Sequence, residues 1–119
     1  MEIWFNPSCS KCRAARAALD EAGLTYKLRR YLDEPPDAAE LHATLDALGL
    51  EPWDITRAGE ALAAELGVRD LPRDRDTWID LLVANPSLIQ RPIMVTNDGQ
   101  AWVARDPETV DTAITHERT

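Results

Sequence analysis

Cys9 and Cys12 are the two cysteines of this 119-residue chain, and two residues separate them. A cysteine thiolate is a strong nucleophile, and a thiol beside it can displace an attached group by closing a disulfide. The spacing therefore favours thiol–disulfide chemistry with an attacking and a resolving thiol. A Cys-x-x-Cys pair is also half of a zinc site, but zinc needs two further ligands. The remaining candidates are His42 and His116, so we expect no metal.

Three arginines, Arg57, Arg91 and Arg105, stand beside the ends of the elements that the sequence predicts. Binding residues are commonly placed at such ends, although a single arginine is most often a solvated surface residue. Their spacing along the chain does not by itself indicate that the three arginine side chains converge in the fold. If they meet near Cys9, their guanidinium groups and the N–H groups of a helix would suit a tetrahedral oxyanion.

The first part of the chain predicts a strand, a helix and a second strand. The strands cover residues 2–5 and 24–31, and the helix covers residues 10–21 with a narrow, alanine-rich face that includes Ala14 and Ala18 and is expected to be buried. Asn6-Pro7-Ser8 ends the first strand. A strand–helix–strand unit this short implies a right-handed crossover and a parallel pair of strands.

Cys9 therefore lies at the first strand-to-helix junction, where unpaired N–H groups and the helix dipole favour a thiolate. Lys11 and Arg13 add positive charge nearby. Small buried cysteines also occur as simple packing residues. That alternative does not explain why both cysteines fall at this junction.

The rest of the chain predicts helices, then a hairpin, then a last helix. Asp37 and Glu40 open a helix that ends at Gly49, residues 58–66 form a shorter one, and Thr77 with Asp80 opens a third. Residues 92–96 and 101–104 flank an Asn-Asp-Gly turn. Asp106-Pro107 starts the last helix, and the tail after Thr115 is expected to fray.

These elements predict an α/β protein that forms one domain over residues 1–119. A β-α-β half and a β-β-α half, with Cys-x-x-Cys at the first strand-to-helix junction, are the outline of a thioredoxin-like fold. The helical block, residues 36–88 approximately, would be an insertion between the two halves.

Composition narrows the range of partners. Thirteen Lys and Arg against 21 Asp and Glu give a net charge of −8, so the chain as a whole repels nucleic acid and anionic lipid. The start lacks a signal-peptide pattern, and no apolar stretch approaches the length of a membrane span. We therefore expect a cytoplasmic protein without nucleic-acid or membrane partners.

Four segments, taken in order, resemble the glutaredoxin-coupled arsenate reductase family, which has a thioredoxin-like fold. They are Asn6 to Lys11, Arg57 before Glu65-Leu66-Gly67, residues 85–93 with Arg91-Pro92, and Arg105 before an acidic helix start. The resemblance implies that Cys9 is the nucleophile, that Arg57, Arg91 and Arg105 bind the oxyanion, and that the peptide before Pro92 is cis. Residues expected to support the site are Asn6, Ser10, Lys11, Arg13 and Pro92.

The sequence departs from the family at two positions. Phe5 stands where family members carry a histidine that keeps the nucleophile ionised, and Cys12 stands where they have no cysteine. Cys12 is shared with thioredoxins and with the related Spx-type regulators. Activation of Cys9 must then come from the helix terminus, the arginines and Lys11, and glutathione becomes dispensable if Cys12 is the resolving thiol.

The resemblance implies reduction of arsenate to arsenite, with Cys12 as resolving thiol and a thioredoxin or glutaredoxin-like donor as the external thiol reductant. No tightly bound cofactor is expected. Two alternatives remain: a redox-sensing Spx-type regulator that binds RNA polymerase, and a general disulfide oxidoreductase. Spx-type regulators typically lack an equivalent of Arg105, which favours an oxyanion substrate. The unrelated phosphatase-like reductases need Cys-x5-Arg, whereas Ala15 and Ala18 occupy those positions here.

Overall fold

The computed structural model describes residues 1–119. The strands are β1 (Glu2–Trp4), β2 (Lys27–Arg29), β3 (Ile93–Val95) and β4 (Ala101–Val103). The α-helices are α1 (Ser10–Glu21), α2 (Ala38–Leu48), α3 (Ala61–Glu65), α4 (Arg75–Ala84) and α5 (Pro107–Arg118). Three short 3-10 helices cover Pro52–Ile55, Val68–Asp70 and Pro86–Leu88. These elements group into two compact units, residues 1–34 with 91–119 and residues 35–90.

The first unit holds a four-stranded sheet in the order β2-β1-β3-β4. β1 and β2 are parallel, and β1–β3 and β3–β4 are antiparallel. The predicted parallel pair, the hairpin and the thioredoxin-like fold are therefore confirmed. The strands are shorter than predicted because pairing is limited to three residues in each.

The core of this unit lies between the sheet and the helices α1 and α5. Ile3 and Met94 are fully buried there with Leu19 of α1 and Ala113 of α5. Helix α1 has the predicted bounds. Its buried stripe is Cys12, Ala15 and Leu19, whereas Ala14 is exposed. The prediction that Ala14 faces the core is therefore wrong, since the stripe runs along Cys12 instead.

Arg29 is 8% exposed, its guanidinium lies 5.2 Å from the ring centroid of Trp4, and it is paired with Glu2. One further prediction about this unit is wrong. Helix α5 does not fray after Thr115 but continues to Arg118. His116 Nε2 lies 2.7 Å from Asp98 Oδ2, a contact that holds the last turn of the helix.

The second unit, residues 35–90, contains α2, α3 and α4. The carboxylate of Asp37 accepts a hydrogen bond from the Glu40 N–H at 2.8 Å, which confirms the predicted start of α2. Helix α3 begins three residues later than predicted, after a turn closed by the Glu60 N–H and the Arg57 carbonyl oxygen.

The predicted start of α4 is wrong. Its N-cap is Asp74, whose carboxylate accepts from the Thr77 N–H at 3.2 Å, so Thr77 lies inside the helix. A carboxylate that accepts this bond satisfies one of the N–H groups left free at a helix start. Across both units, no helix has the length and apolar character needed to cross a membrane.

Candidate active site

Cys9 is the N-cap residue of α1, with φ −94° and ψ 121°. Its own N–H donates to the Asn6 carbonyl oxygen at 3.0 Å, which closes the turn after β1. Partial burial alone would raise the pKa of the Cys9 thiol. The N–H of Cys12, the guanidinium of Arg91, the thiol of Cys12 and the N–H of Lys11 all favour negative sulfur, and together they lower that pKa from 9.0 to about 7. Cys9 therefore carries a substantial thiolate fraction at neutral pH.

Cys12 has the opposite character. Its side chain is fully buried on α1, and burial raises the pKa of its thiol to about 12, an effect increased by the neighbouring Cys9. Both cysteines are free. At neutral pH the site therefore holds one ionisable, partly exposed sulfur beside one protonated, buried thiol.

Arg91 supplies the nearest positive charge to Cys9. It immediately precedes β3, and the Arg91–Pro92 peptide is cis, as predicted. The Arg91 side chain is half-buried, and its guanidinium lies near enough to the sulfur of Cys9 to lower the pKa of that thiol. The pairing of β3 with β4 therefore helps to position the Arg91 guanidinium near the start of α1.

Arg105 lies between β4 and α5 and is half-buried. Its guanidinium donates to the main-chain carbonyl oxygen of Arg91. With Lys11 it also lines a groove between α1 and α5 of about 150 Å³, whose floor includes Ala15 and Val110. Arg91 and Arg105 thus both belong to the unit that contains the two cysteines.

Arg57 belongs to the other unit, residues 35–90. Its guanidinium is paired with the carboxylate of Glu60, and its N–H donates to the Leu88 carbonyl oxygen at 2.7 Å. The isolated pairing of Thr56 with Ile89 fixes the segment beside it. The role of Arg57 in oxyanion binding stays a prediction.

The predicted supporting residues shape the loop before Cys9. The Asn6 side chain accepts from the Ser8 N–H at 3.0 Å, and Arg13 donates to the Pro7 carbonyl oxygen at 2.9 Å. Ser10 is the exposed first residue of α1. These contacts hold the loop at both ends and so fix where Cys9 stands.

Phe5, which replaces the family's histidine, is 3% exposed. Its ring lies 5.6 Å from the guanidinium carbon of Arg16, and its N–H donates to the Arg29 carbonyl oxygen at 2.7 Å. A phenyl ring neither donates to a thiolate nor carries charge. The pKa of Cys9 is therefore lowered by the N–H groups at the helix start, by Arg91 and by the Cys12 thiol.

Sequence reasoning missed one residue near the site. The sequence predicts Tyr31 only as the last residue of a strand. In the structure Tyr31 is fully buried and contributes to the electrostatic surroundings of Arg91. The signal that would have found it is the strand register. That register follows from pairing between distant segments rather than from local pattern.

An uncharacterised protein of the glnII region of Streptomyces viridochromogenes is 54% identical over 117 residues, which cover 96% of this chain and 98% of that protein. An arsenate reductase of Neisseria meningitidis serogroup A is 36% identical over 115 residues, which cover 96% of this chain and 97% of that protein.

A solved structure of an arsenate reductase from Vibrio cholerae has a TM-score of 0.88 against this chain at 36% identity. The match covers 95% of this chain and 98% of that one. The ArsC family profile matches residues 4–113, which include both cysteines and all three arginines. The resemblance drawn from the motif segments is confirmed, and the chain belongs to the ArsC family.

Proposed function

We propose that this protein reduces arsenate to arsenite with Cys9 as the nucleophile. The observation that carries the proposal is the place of Cys9 at the start of α1 and beside Arg91, surroundings that lower the pKa of this thiol to about 7. A thiolate next to a guanidinium group is suited to attack on a tetrahedral oxyanion, because the cation offsets the charge of the approaching substrate. The arsenate reductases among its relatives support the choice of substrate.

In the first step, the Cys9 sulfur forms a bond to arsenic(V), and one arsenate oxygen leaves as water after protonation. In the second step, a further thiol attacks the Cys9 sulfur. The sulfur–arsenic bond breaks with its electron pair left on arsenic, so arsenite departs and the two sulfurs are oxidised to a disulfide. We assign the second thiol to Cys12, which lies beside Cys9 and is protonated at neutral pH; its proton passes to an oxygen of the departing arsenite as its sulfur attacks.

Three arginines are assigned to the oxyanion: Arg57, Arg91 and Arg105. Each guanidinium offers two parallel N–H groups that match the oxygens of arsenate. A dithiol protein of the thioredoxin or glutaredoxin class would then reduce the disulfide by exchange. A reducing compartment such as the cytoplasm suits this cycle, because it keeps both cysteines reduced between turnovers.

The test is production of arsenite by the purified protein with a reductant system, with Cys9→Ser as the inactive control. Arg57→Ala should lower turnover, and Glu60→Gln is its matched control because it removes the ion pair and leaves the guanidinium in place. Failure of the wild-type protein to form arsenite with any thiol donor would reject the function.

A general disulfide oxidoreductase is the second candidate, favoured by the difference between the pKa values of Cys9 and Cys12. Such enzymes likewise combine an attacking thiolate with a buried partner. Reduction of a protein disulfide at a rate above that of arsenate would select this alternative. Binding to RNA polymerase without either activity would select the Spx-type regulator.

A further inference from the structure

A cavity of about 280 Å³ lies within residues 35–90 and contains none of the residues assigned to the mechanism. Trp53 and Trp78 form part of its wall, with their ring centroids 6.0 Å apart and their ring planes at 76°. Arg69 and Arg73 line the same cavity and are exposed. The cavity therefore combines aromatic surface with two positive charges.

Two polar groups of the cavity wall are already satisfied within the chain. The indole N–H of Trp78 donates to the Pro72 carbonyl oxygen at 2.9 Å, and the Thr56 hydroxyl donates to a carbonyl oxygen at 2.7 Å. The wall groups without a hydrogen-bond partner are the guanidinium groups of the two arginines and the indole N–H of Trp53. All of these are donors only, so a ligand of this cavity must supply acceptors.

The two arginines of the cavity differ from the other arginines of residues 35–90. Arg57 and Arg75 are both paired with carboxylates. Arg69 and Arg73 form no ion pair, although this part of the chain contains eleven Asp and Glu. The positive charges that no carboxylate of the chain neutralises are thus the two that line the aromatic cavity.

The guanidinium of Arg73 lies over the ring of Trp53, with its central carbon 5.4 Å from the ring centroid. Stacking on an indole restricts the plane of a guanidinium group, and its N–H groups remain available at the edge for two parallel hydrogen bonds to a carboxylate. Contacts of this length are screened far less than the field of distant charges. The net charge of −8 therefore does not prevent an anion from binding here.

The volume and the walls of the cavity limit its ligand. The side chains of Ala58, Val68 and Leu71 add apolar surface. Pockets for drug-sized ligands usually measure about 300–1,000 Å³, so this cavity suits a smaller molecule of one or two rings. Such a ring would pack against the apolar wall while its anionic group meets the guanidinium groups.

We propose that this cavity binds a small aromatic carboxylate. Arg69 and Arg73 hold the carboxylate group, and the ring packs against Trp53 and Trp78. Binding here does not depend on arsenate reduction, so the test reads the cavity directly.

The test is titration of the whole reduced protein with benzoate, followed by NMR of the tryptophan indole N–H groups. The chain has four tryptophans, and Trp→Phe variants assign their signals. The signals of Trp53 and Trp78 should shift and saturate with a dissociation constant of about 1 mM, as expected for so small a ligand. Trp4 and Trp102 belong to the other unit and should not shift. Benzamide, which has the same shape without the charge, should bind at least about tenfold more weakly.

Arginine variants show whether the carboxylate is held as proposed. Arg69→Ala and Arg73→Ala should each weaken benzoate binding about tenfold, because each removes a charge-assisted donor. Arg73→Lys should also bind weakly, since an ammonium group lacks the planar pair of donors. Arg30→Ala is the matched control: it removes one exposed arginine from the other unit and should leave the dissociation constant unchanged.

Three results would each overturn the proposal. They are equal affinity for benzoate and benzamide, unchanged binding in both alanine variants, and no saturable shift of the Trp53 and Trp78 signals up to about 20 mM benzoate. The cation stacked on Trp53 is Arg73. Arg69→Ala therefore gives a valid result even if loss of the Arg73 side chain disturbs the position of that ring.

Discussion

The guanidinium of Arg105 donates a hydrogen bond to the main-chain carbonyl oxygen of Arg91. This contact joins the segment before α5 to the peptide before β3, in the unit that also carries Cys9. Arg105 therefore supports the site before any oxyanion arrives. The role proposed for it as an oxyanion ligand would use donors that remain on the same planar guanidinium group.

Arg91→Ala and Arg105→Ala should each lower kcat/KM for arsenate by about a hundredfold, the usual cost of removing one donor to a reacting oxyanion. Arg91→Ala should also raise the midpoint of Cys9 alkylation, since it removes a cation that lowers the pKa of that thiol. Steady-state kinetics and alkylation profiles separate the two effects. Arg30→Ala, an exposed arginine of the same unit, is the control.

Unchanged kcat/KM in both variants, at unchanged melting temperatures, would remove the arginines from the site and leave only the two thiols. Loss of activity together with a large fall in melting temperature would instead show a structural role.

Cys9 should react with iodoacetamide at least about a hundredfold faster than Cys12 at pH 7, because thiolate fraction and access both favour it. Its rate should rise with pH to a plateau, with a midpoint at about 7. Brief labelling followed by peptide mass spectrometry gives both rates. Equal labelling, or preferential labelling of Cys12, would contradict the assignment of nucleophile and resolving thiol.

Reduced protein mixed with arsenate and no other thiol should yield one equivalent of arsenite and a Cys9–Cys12 disulfide. The neighbouring thiol attacks at high effective concentration, which a dissolved thiol cannot match. Cys12→Ser should stop at an adduct or depend wholly on added thiol. Peptide mapping without reductant distinguishes these results.

A mixed disulfide between Cys9 and glutathione, with Cys12→Ser fully active, would contradict the role of Cys12. The mechanism would then be the glutathione-dependent one.

The two cysteines should change stability with pH in opposite directions. The pKa of Cys12 is raised in the folded state to about 12, so above about pH 9 the unfolded chain loses this proton while the folded protein keeps it. Stability contributed by Cys12 is therefore present below pH 9 and lost above it. The pKa of Cys9 is lowered to about 7, so its contribution is present above pH 9 and lost as the pH falls towards 7.

Denaturant unfolding at several pH values measures these two pH dependences of stability. Relative to Cys12→Val, the wild type should lose stability from pH 8 to pH 10. Relative to Cys9→Ala, it should gain stability from pH 7 to pH 9. A constant difference across either range would show that the corresponding thiol has an unperturbed pKa.

Local signals predicted much of the fold. The bounds of α1, the Asp106 cap of α5 and the hairpin around Asn97-Asp98-Gly99 each depend on a few adjacent residues. The predicted start of α4 is wrong because two overlapping capping patterns occur in this part of the sequence. Thr77 follows Asp74 by three residues and precedes Asp80 by three, and only the first pair forms the cap.

The features of the site likewise fall into those that a local motif predicts and those that depend on distant parts of the chain. The place of Cys9 before α1 follows from a short motif, so the sequence predicts it. The approach of Arg91 to Cys9 and the burial of Arg29 against Trp4 depend on sheet pairing between distant segments. The residues that stabilise buried Arg29, Glu2 and Trp4, lie on another strand, so no local pattern around Arg29 indicates its burial.

The start of α1 differs from the starts of α2, α4 and α5. Each of those three helices has an aspartate whose carboxylate accepts a hydrogen bond from the first turn, whereas the Cys9 side chain makes no such bond. Replacing a poor N-cap by serine typically stabilises a protein by about 1 kcal/mol. Cys9 therefore leaves the start of its helix without a side-chain cap and its sulfur available, a compromise between durability and reactivity.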